Sequence, residues 1–354
     1  MPVEYPSCGG LVAEHEAVRS GVGVFDVSHM GDIRIHTAKS PGGALQAVQY
    51  LTMNDAAKLV IGQAQYSAML YPEGTFVDDV IVHRLGEDDY LLVINAGTRE
   101  KDIQWVRQNT VDLDCTVEEL SDAYTQLAIQ GPRGVDVLRK LTEANLDGVK
   151  NYWFTHGTVC GLKNTLIART GYTGEDGFEI YIPTDVATSE RVWNAVMAAG
   201  KEFGIVPCGL GARNTLRLES KMALYGHEIS DKINVWEAGL ERYCKMDKGE
   251  FLGRAALEKA REAGLQRTMV GLEMVERGIA RDGYRCLNEN GEPIGVVTSG
   301  SPSPTLGKNI ALAYVPPAWS ALGTPIYVEI RSQKCKAQVV ATPFYKRIRK
   351  AGAN

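Results

Sequence analysis

The sequence predicts an α+β protein that ends in a separate all-β domain. Three observations carry this. The chain has 354 residues, beyond the length at which one core usually keeps growing, so two or three domains are expected. Segments 64–71, 75–85 and 88–97 read as three strands joined by short turns, an antiparallel meander set among helical patterns. From Thr268 the texture changes to strand-like runs separated by turn signals.

The elements follow in order. LVAEHEAVRS (11–20) reads as a short helix stopped by Gly21 and Gly23. VFDVSHMGDIRIH alternates and reads as a strand with a turn in it, and LQAVQYL (45–51) as a helix. After the meander, TREKDIQWVRQ (98–108) is a helix with Thr98 as its N-cap. TQLAIQG (125–131) is a strand, and GVDVLRKL starts a helix with a proline at its first turn. NTLIART (164–170) and GFEIYIP (177–183) are strands flanking a glycine-rich stretch. SERVWNAVMAAGKEFG (189–204) puts Val192, Trp193, Val196, Met197 and Gly200 on one helical stripe. ARNTLRLESKMAL (212–224) is another helix, and two charged helical segments follow near 254–264. The β region then runs through TMVGLEM, YRCLNENGEPIGVVTSG, NIALAYV, PIYVEIR and KAQVVATPFY, with a hairpin turn by composition at 287–292.

Composition excludes several classes. Apolar residues make up 44% and charged residues 23%, as in ordinary globular proteins, and a net charge of −5 lacks the basic surplus of a nucleic-acid binder. Seven scattered cysteines, without a CxxC pair, argue against a zinc site and a secreted disulfide framework. Six histidines show no ligand spacing, so no metal is expected. No run of 18 apolar residues and no signal-peptide pattern is present, which predicts no membrane span and a cytoplasmic protein, or a mitochondrial-matrix one in a eukaryote. Walker A, HExxH and GxSxG are absent. GLGARN (209–214) has Asn214 in place of the third glycine of a dinucleotide fingerprint.

Two stretches point to chemistry. In VDD (77–79), Asp78 and Asp79 interrupt an apolar strand. Neighbouring strand residues face opposite sides, so one of the pair faces inward. It is either a turn or edge residue or a partly buried carboxylate that manages charge. Asn95 closes the next apolar run and can face the same cavity. In RTGYTGEDGFEIY (169–181), Gly171, Gly174 and Gly177 fit a plain hairpin, or a backbone that approaches a flat ligand. Alternation sets Glu179 and Tyr181 on one face, Phe178 and Ile180 on the other. A carboxylate on that face is a natural bidentate acceptor for an N–H/NH₂ pair on a heterocycle.

Seven stretches, in order along almost the whole chain, carry a resemblance: AVRSGVGVFDVSHMG (17–31), FVDDVIV (76–82), INAG (94–97), IQGPRG (129–134), ARTGYTGEDGFEIY (168–181), GLGARNTLRLES (209–220) and GVVTSGSPSPTLGKNIALAYV (295–315). The chain resembles the aminomethyltransferase, or T-protein, family of the glycine cleavage system. The resemblance implies a three-lobed cloverleaf around a central folate channel. Two interleaved lobes would come from residues 1–262 and a barrel-like domain from 266–350. It implies transfer of an aminomethyl carbon from the lipoyl arm of a partner H-protein to tetrahydrofolate, with release of ammonia. By the same resemblance Asp78 is the catalytic aspartate, Glu179 the pterin-binding glutamate and Arg213 a ligand-contacting arginine. Met30, Asn95, Tyr172 and Trp236 would line the channel, and Arg349 would make a terminal folate contact. Two alternatives share the folate site: a folate-dependent demethylase, and a non-enzymatic folate-binding assembly factor. The latter's KGCYxGQ signature stands here as KGEFLGR (248–254), with Glu250 in place of the cysteine, which disfavours it. Family members usually carry a further segment with a Gly-Trp pair before the position of MPVEYPS.

Overall fold

The computed structural model describes residues 1–37 and 41–347. The chain opens with α1 (Gly10–Ser20), β1 (Gly23–Asp26), β2 (Gly31–His36) and α2 (Gly43–Leu51). The meander is β3 (Ala64–Leu70), β4 (Phe76–Gly86) and β5 (Asp89–Ile94), followed by α3 (Arg99–Thr110). Next come β6 (Thr116–Glu119), β7 (Tyr124–Gln130), α4 (Gly134–Arg139), β8 (Phe154–Val159), β9 (Leu162–Ala168), β10 (Gly177–Pro183) and α5 (Val186–Gly200). β11 (Val206–Pro207), α6 (Leu210–Glu219) and α7 (Arg254–Ala263) lead into β12 (Thr268–Met274) and β13 (Arg285–Leu287). β14 (Pro293–Ser303), β15 (Lys308–Val315), β16 (Pro325–Ile330) and β17 (Gln333–Val340) complete the described strands.

These strands form three bodies. One sheet has the order β3-β4-β5-β2-β6, the second β11-β1-β7-β10-β9-β8, and the C-terminal strands close into a barrel, β12-β15-β14-β13-β16-β17. VFDVSHMGDIRIH is therefore two strands in two sheets: β1 joins the second sheet and β2 the first. Alternation runs unbroken on both sides of the turn, so the periodicity by itself cannot show that the chain changes sheet there.

Each sheet is covered by helices on one face. Val80 and Val82 of β4 pack with Ile33, Val48 and Val106 under α2 and α3; Phe178, Ile180 and Ile182 of β10 pack with Val137, Val192 and Val196 under α4 and α5. The opposite faces meet each other. Ala64, Leu91, Val93, Phe154, Leu166 and Tyr181 form a core that joins the sheets. A buried carboxylate on that second face sits between the lobes, not under a helix.

Some expectations change. The charged region near 254–264 is one helix, α7. α6 stops at Glu219, and Lys221 then takes a left-handed φ of 55°. The short strands β6, β8 and β11 have no clear apolar alternation and escape sequence reading. Thr98 occupies the N-cap of α3, but its hydroxyl makes no cap bond and goes to Asp78 instead.

A buried polar clamp ties α1 and α6 to the barrel. His15 bonds Thr215 through Nδ1 and Thr305 through Nε2, each at 2.8 Å. Glu219 accepts from Arg19 Nη2 at 2.8 Å, from the Thr305 hydroxyl at 2.7 Å and from Ser303. Burial pushes the Glu219 carboxyl up, but hydrogen bonds from His15, Ser303 and Arg19 outweigh it and hold it down at about 2. A depressed carboxyl stabilises the fold above its unfolded value, and the benefit is lost as pH falls toward the folded one. The predicted stability gap between wild type and Glu219→Gln is roughly 2–3 kcal/mol at neutral pH and closes between about pH 5 and 2. Denaturant midpoints across that range measure it, and a pH-independent gap would refute the assignment.

Candidate active site

The joined sheets leave one cavity of about 260 Å³ between the lobes. That is near the lower end of small-molecule sites, which run to roughly 300–1,000 Å³. β4 supplies Asp79, β10 supplies Glu179 and Tyr181, and α6 supplies Arg213; Tyr172 comes from the glycine stretch. The two acids come from different sheets but are placed by one rule. Each is the polar member of an alternating strand whose other residues feed the helix-covered core.

Glu179 receives a bond on Oε2 from the Thr170 hydroxyl. Among the described residues nothing donates to Oε1, which belongs to a side chain on the cavity wall. Burial raises its pKa, offset in part by the Thr170 bond and the Arg213 charge. Behind it Gln126 bonds Asp32, a carboxyl that burial, against the Gln126 bond, pushes up to about 8. The Arg213 guanidinium lies 4.3 Å over the Tyr172 ring and makes no ion pair among the described residues. Burial pulls its pKa down. A desolvated cation without a fixed anion is an open demand for a ligand acceptor. The Tyr172 hydroxyl is tied to Ala223 O, so the ring presents its faces.

The aspartate pair resolves differently from the expectation. Asp78 is fully buried, points to the helix-covered side and is absent from the cavity wall; Asp79 faces the cavity. The reason is the alternation that left the pair ambiguous: Asp79 shares a face with Ile81, and Asp78 shares one with Val80. Asp78 Oδ1 accepts from Asn95 Nδ2 at 2.9 Å, and its Oδ2 accepts from Thr98 at 2.6 Å. The same Asn95 amide donates to Asp79 Oδ1 at 2.8 Å, so it bridges the two carboxyls. Burial and then the neighbouring Asp78 raise the pKa of Asp79, against bonds from Asn95 and Tyr66.

Met30, Asn95 and Tyr172 all line the cavity; Trp236 does not. Its indole donates to Leu257 O at 2.7 Å, and the ring packs in the core between the lobes and the barrel. Arg349 lies outside the described residues. Sequence reading missed Tyr66, Tyr152, Lys221 and Arg242 on the wall. Tyr152 and Lys221 both hold left-handed φ, at 60° and 55°, which has no sequence signal for such side chains.

The glycine stretch also changes meaning. A Cβ on Gly171 would lie 2.0 Å from Gln130 Oε1, and one on Gly177 would lie 2.5 Å from Ile129 O. These glycines let the loop close on β7, not on a ligand. Asp176 takes a bidentate pair from Arg169 at 2.9 and 2.6 Å, with Arg347 at 3.5 Å, while Glu175 pairs with Arg19 at 3.0 Å. Asp176 thus meets the C-terminal segment through Arg347, and Glu175 meets α1, beside an outer pocket lined by Tyr345, Lys346 and Arg347. Tyr152, Thr170 and Gly171 line both pockets, which makes them neighbouring compartments.

A carboxylate oxygen without a donor, an unpaired guanidinium and flanking aromatic rings fit a flat heterocycle that offers N–H donors and a carbonyl or carboxylate. A second acid with a raised pKa, set in the same cavity, marks the cavity as a candidate active site. Comparisons with known proteins agree. Residues 1–248 match the GCVT N-terminal domain, and 267–346 match the glycine cleavage T-protein C-terminal barrel domain. An aminomethyltransferase of Koribacter versatilis (strain Ellin345) is 69% identical over 99% of this chain and 91% of its own length. One from Moorella thermoacetica is 48% identical over 99% and 93%. A crystal structure of the glycine cleavage system aminomethyltransferase T from Bartonella henselae superposes with a TM-score of 0.89 at 32% identity, over 98% of this chain and 92% of that one. The chain belongs to the glycine cleavage T-protein family, and it is a transferase with that family's mixed α+β and barrel architecture.

Proposed function

We propose that the protein transfers an aminomethyl carbon from the lipoyl arm of H-protein to tetrahydrofolate, releasing ammonia and forming 5,10-methylenetetrahydrofolate. The observation that carries this is the cavity wall: Asp79 from one sheet, Glu179 from the other, and Arg213 with no ion-pair partner among the described residues. Tetrahydrofolate, when bound, would supply the two nitrogens that take up the carbon, as its bonds to the lipoyl sulfur and to ammonia break. Glu179 can accept an N–H/NH₂ pair, one donor on Oε1 and the other on Oε2 beside the Thr170 hydroxyl, and Arg213 can hold a carbonyl or carboxylate oxygen of the same ligand. Met30, Tyr172 and Tyr181 exclude water and give faces for flat rings. Asp79, held by Asn95 on Oδ1 and with Tyr66 beside it, turns its carboxyl to the cavity, where it can face the positive charge of the amine group and take up the proton that a folate nitrogen gives up as the new C–N bond forms. The bacterial relatives make the cytoplasm the proposed compartment.

Lipoylated H-protein carrying the aminomethyl group, assayed with tetrahydrofolate beside a panel of methyl donors, tests the reading. Turnover of a methyl donor in preference to the aminomethyl carrier would overturn it. Glu179→Ala is predicted to weaken tetrahydrofolate binding by about tenfold or more, since a buried donor pair loses its acceptor. Calorimetric titration measures this, and an unchanged affinity would remove Glu179 from the site.

A further inference from the structure

Gln126 stands on the cavity wall, and the reaction described above does not use it. It lies on β7, where Leu127 and Ile129 feed the helix-covered core, so alternation turns Gln126 to the other face. That face also carries Glu179. β7 and β10 pair with Tyr181 opposite Gln126 and Glu179 opposite Ala128, which makes Gln126 and Glu179 diagonal neighbours. Gln126 is nevertheless only 2% exposed.

The two ends of its amide meet different surroundings. Nε2 donates to Asp32 Oδ2, which reaches over from β2 of the first sheet. Oε1 receives no hydrogen bond among the described residues, and it is not sealed in the core, so it opens to the cavity. Asp32 makes this orientation definite. Its side chain is fully buried, its Oδ1 has no partner, and Gln126 Nε2 is the one side-chain donor it meets among the described residues. An amide turned the other way would set Oε1 against a buried carboxylate and leave that carboxylate without any donor, which burial penalises. An acceptor oxygen, fixed from behind and lacking a donor, therefore faces the ligand space beside Glu179.

A reduced folate offers more than one set of ring donors. Glu179 takes the N–H/NH₂ pair of the pyrimidine half. N5 and N10 receive the transferred carbon, which leaves N8–H as the ring donor that the reaction does not consume. N8 carries a hydrogen in tetrahydrofolate and 7,8-dihydrofolate and is a bare acceptor in folic acid. We propose that Gln126 reads the oxidation level of the pterin: its Oε1 accepts the N8–H of a reduced folate, and Asp32 positions it by holding the amide nitrogen. This rests on the reading of the cavity as the folate site. Folic acid would set a lone pair against Oε1, so it loses a bond and leaves two acceptors facing each other.

Calorimetric titration of the whole protein with tetrahydrofolate, 7,8-dihydrofolate and folic acid tests this in wild type, Gln126→Met, Asp32→Leu and Glu179→Ala. Dihydrofolate against folic acid is the deciding pair, because it sets N8–H against bare N8. Wild type is expected to prefer dihydrofolate by about tenfold or more, as a site built to accept an N–H rejects the analogue without it. Gln126→Met keeps the length of the side chain without the acceptor, and the preference should shrink to about twofold or less. Asp32→Leu frees the amide to turn and should shrink it too, which decides the matter if Gln126→Met does not fold. Glu179→Ala should weaken all three ligands alike and keep their ratio. A wild-type preference that persists in Gln126→Met, or in Asp32→Leu where the former does not fold, would overturn the proposal, as would equal binding of the two ligands by wild type. A wild-type preference for folic acid that Gln126→Met abolishes would overturn it as well, since the amide N–H would then face the ligand. No measurable affinity of wild type for tetrahydrofolate would overturn the underlying reading of the cavity itself.

Discussion

Asp79→Asn is expected to lower kcat by a factor on the order of 10²–10⁴ and to leave tetrahydrofolate affinity within a few-fold. Asparagine keeps the size of the side chain, and its Oδ1 can still accept from Asn95. What it loses is the negative charge and the ability to hold a proton. Binding, which the proposed function assigns to Glu179 and Arg213, has no reason to change. The pH profile adds a sign. The pKa of Asp79 is raised by burial and by Asp78, so the reactive carboxylate form is lost as pH falls through a value above that of an ordinary aspartate. Wild type should show an acid limb in kcat there, and Asp79→Asn should show none. Asp78→Asn is the control. Its amide would bring a donor into a position that now accepts from Thr98, Asn95 and the Asp79 backbone. Stability should drop more than in Asp79→Asn, with the reactive carboxyl still present. If a folded Asp78→Asn protein lost turnover while Asp79→Asn kept it, the two roles would be reversed.

The two aspartates show how much of the site is legible in the sequence. VDD in an apolar strand announced that one acid faces inward, and Asn95 in the next strand was a correct neighbour. Parity could not choose between the acids, because it needs the location of the helices that cover one face. The family resemblance chose Asp78, and the packing of Val80 and Val82 under α2 and α3 sets Asp79, not Asp78, on the cavity wall. Glu179 was easier. Phe178 and Ile180 on its two sides are strongly apolar, so its face followed from the strand alone. Trp236 shows the opposite limit: an aromatic residue near channel residues in sequence can still spend its ring in a core and its N–H on a helix carbonyl. The meander and the all-β character of the C-terminal domain were legible because local turns punctuate their strands; closure of that domain into a barrel came from the family resemblance, since its β12–β15, β13–β16 and β12–β17 pairings are not local. The passage of β1 and β2 into different sheets was not legible, since nothing local marks it.

The second large effect is on stability, and it reaches the cavity through α6. Arg217 is 1% exposed, and its guanidinium donates to Glu228 at 2.7 Å, to Ser299 of β14 at 2.8 Å and to Asn214 at 2.7 Å. Glu228, with no exposure, accepts in turn from Thr298 of the barrel at 2.7 Å and from the Leu224 N–H at 3.1 Å. Both ions are satisfied, so the pair is tolerated in the core; removing one partner leaves the other charged and buried. Arg217→Met is therefore predicted to cost roughly 3–5 kcal/mol. The double variant Arg217→Met/Glu228→Gln should regain much of that, because no unpaired ion remains. Arg213 lies one helical turn before Arg217 on α6, so the same bonds that dock the helix on the barrel set where Arg213 meets the cavity. The single variant should accordingly bind tetrahydrofolate more weakly even under conditions where it is folded. Chemical unfolding midpoints and calorimetric titration check both parts. An Arg217→Met protein within about 1 kcal/mol of wild type would show that the barrel is not held to α6 through this pair, since even an ordinary net hydrogen bond contributes about that much.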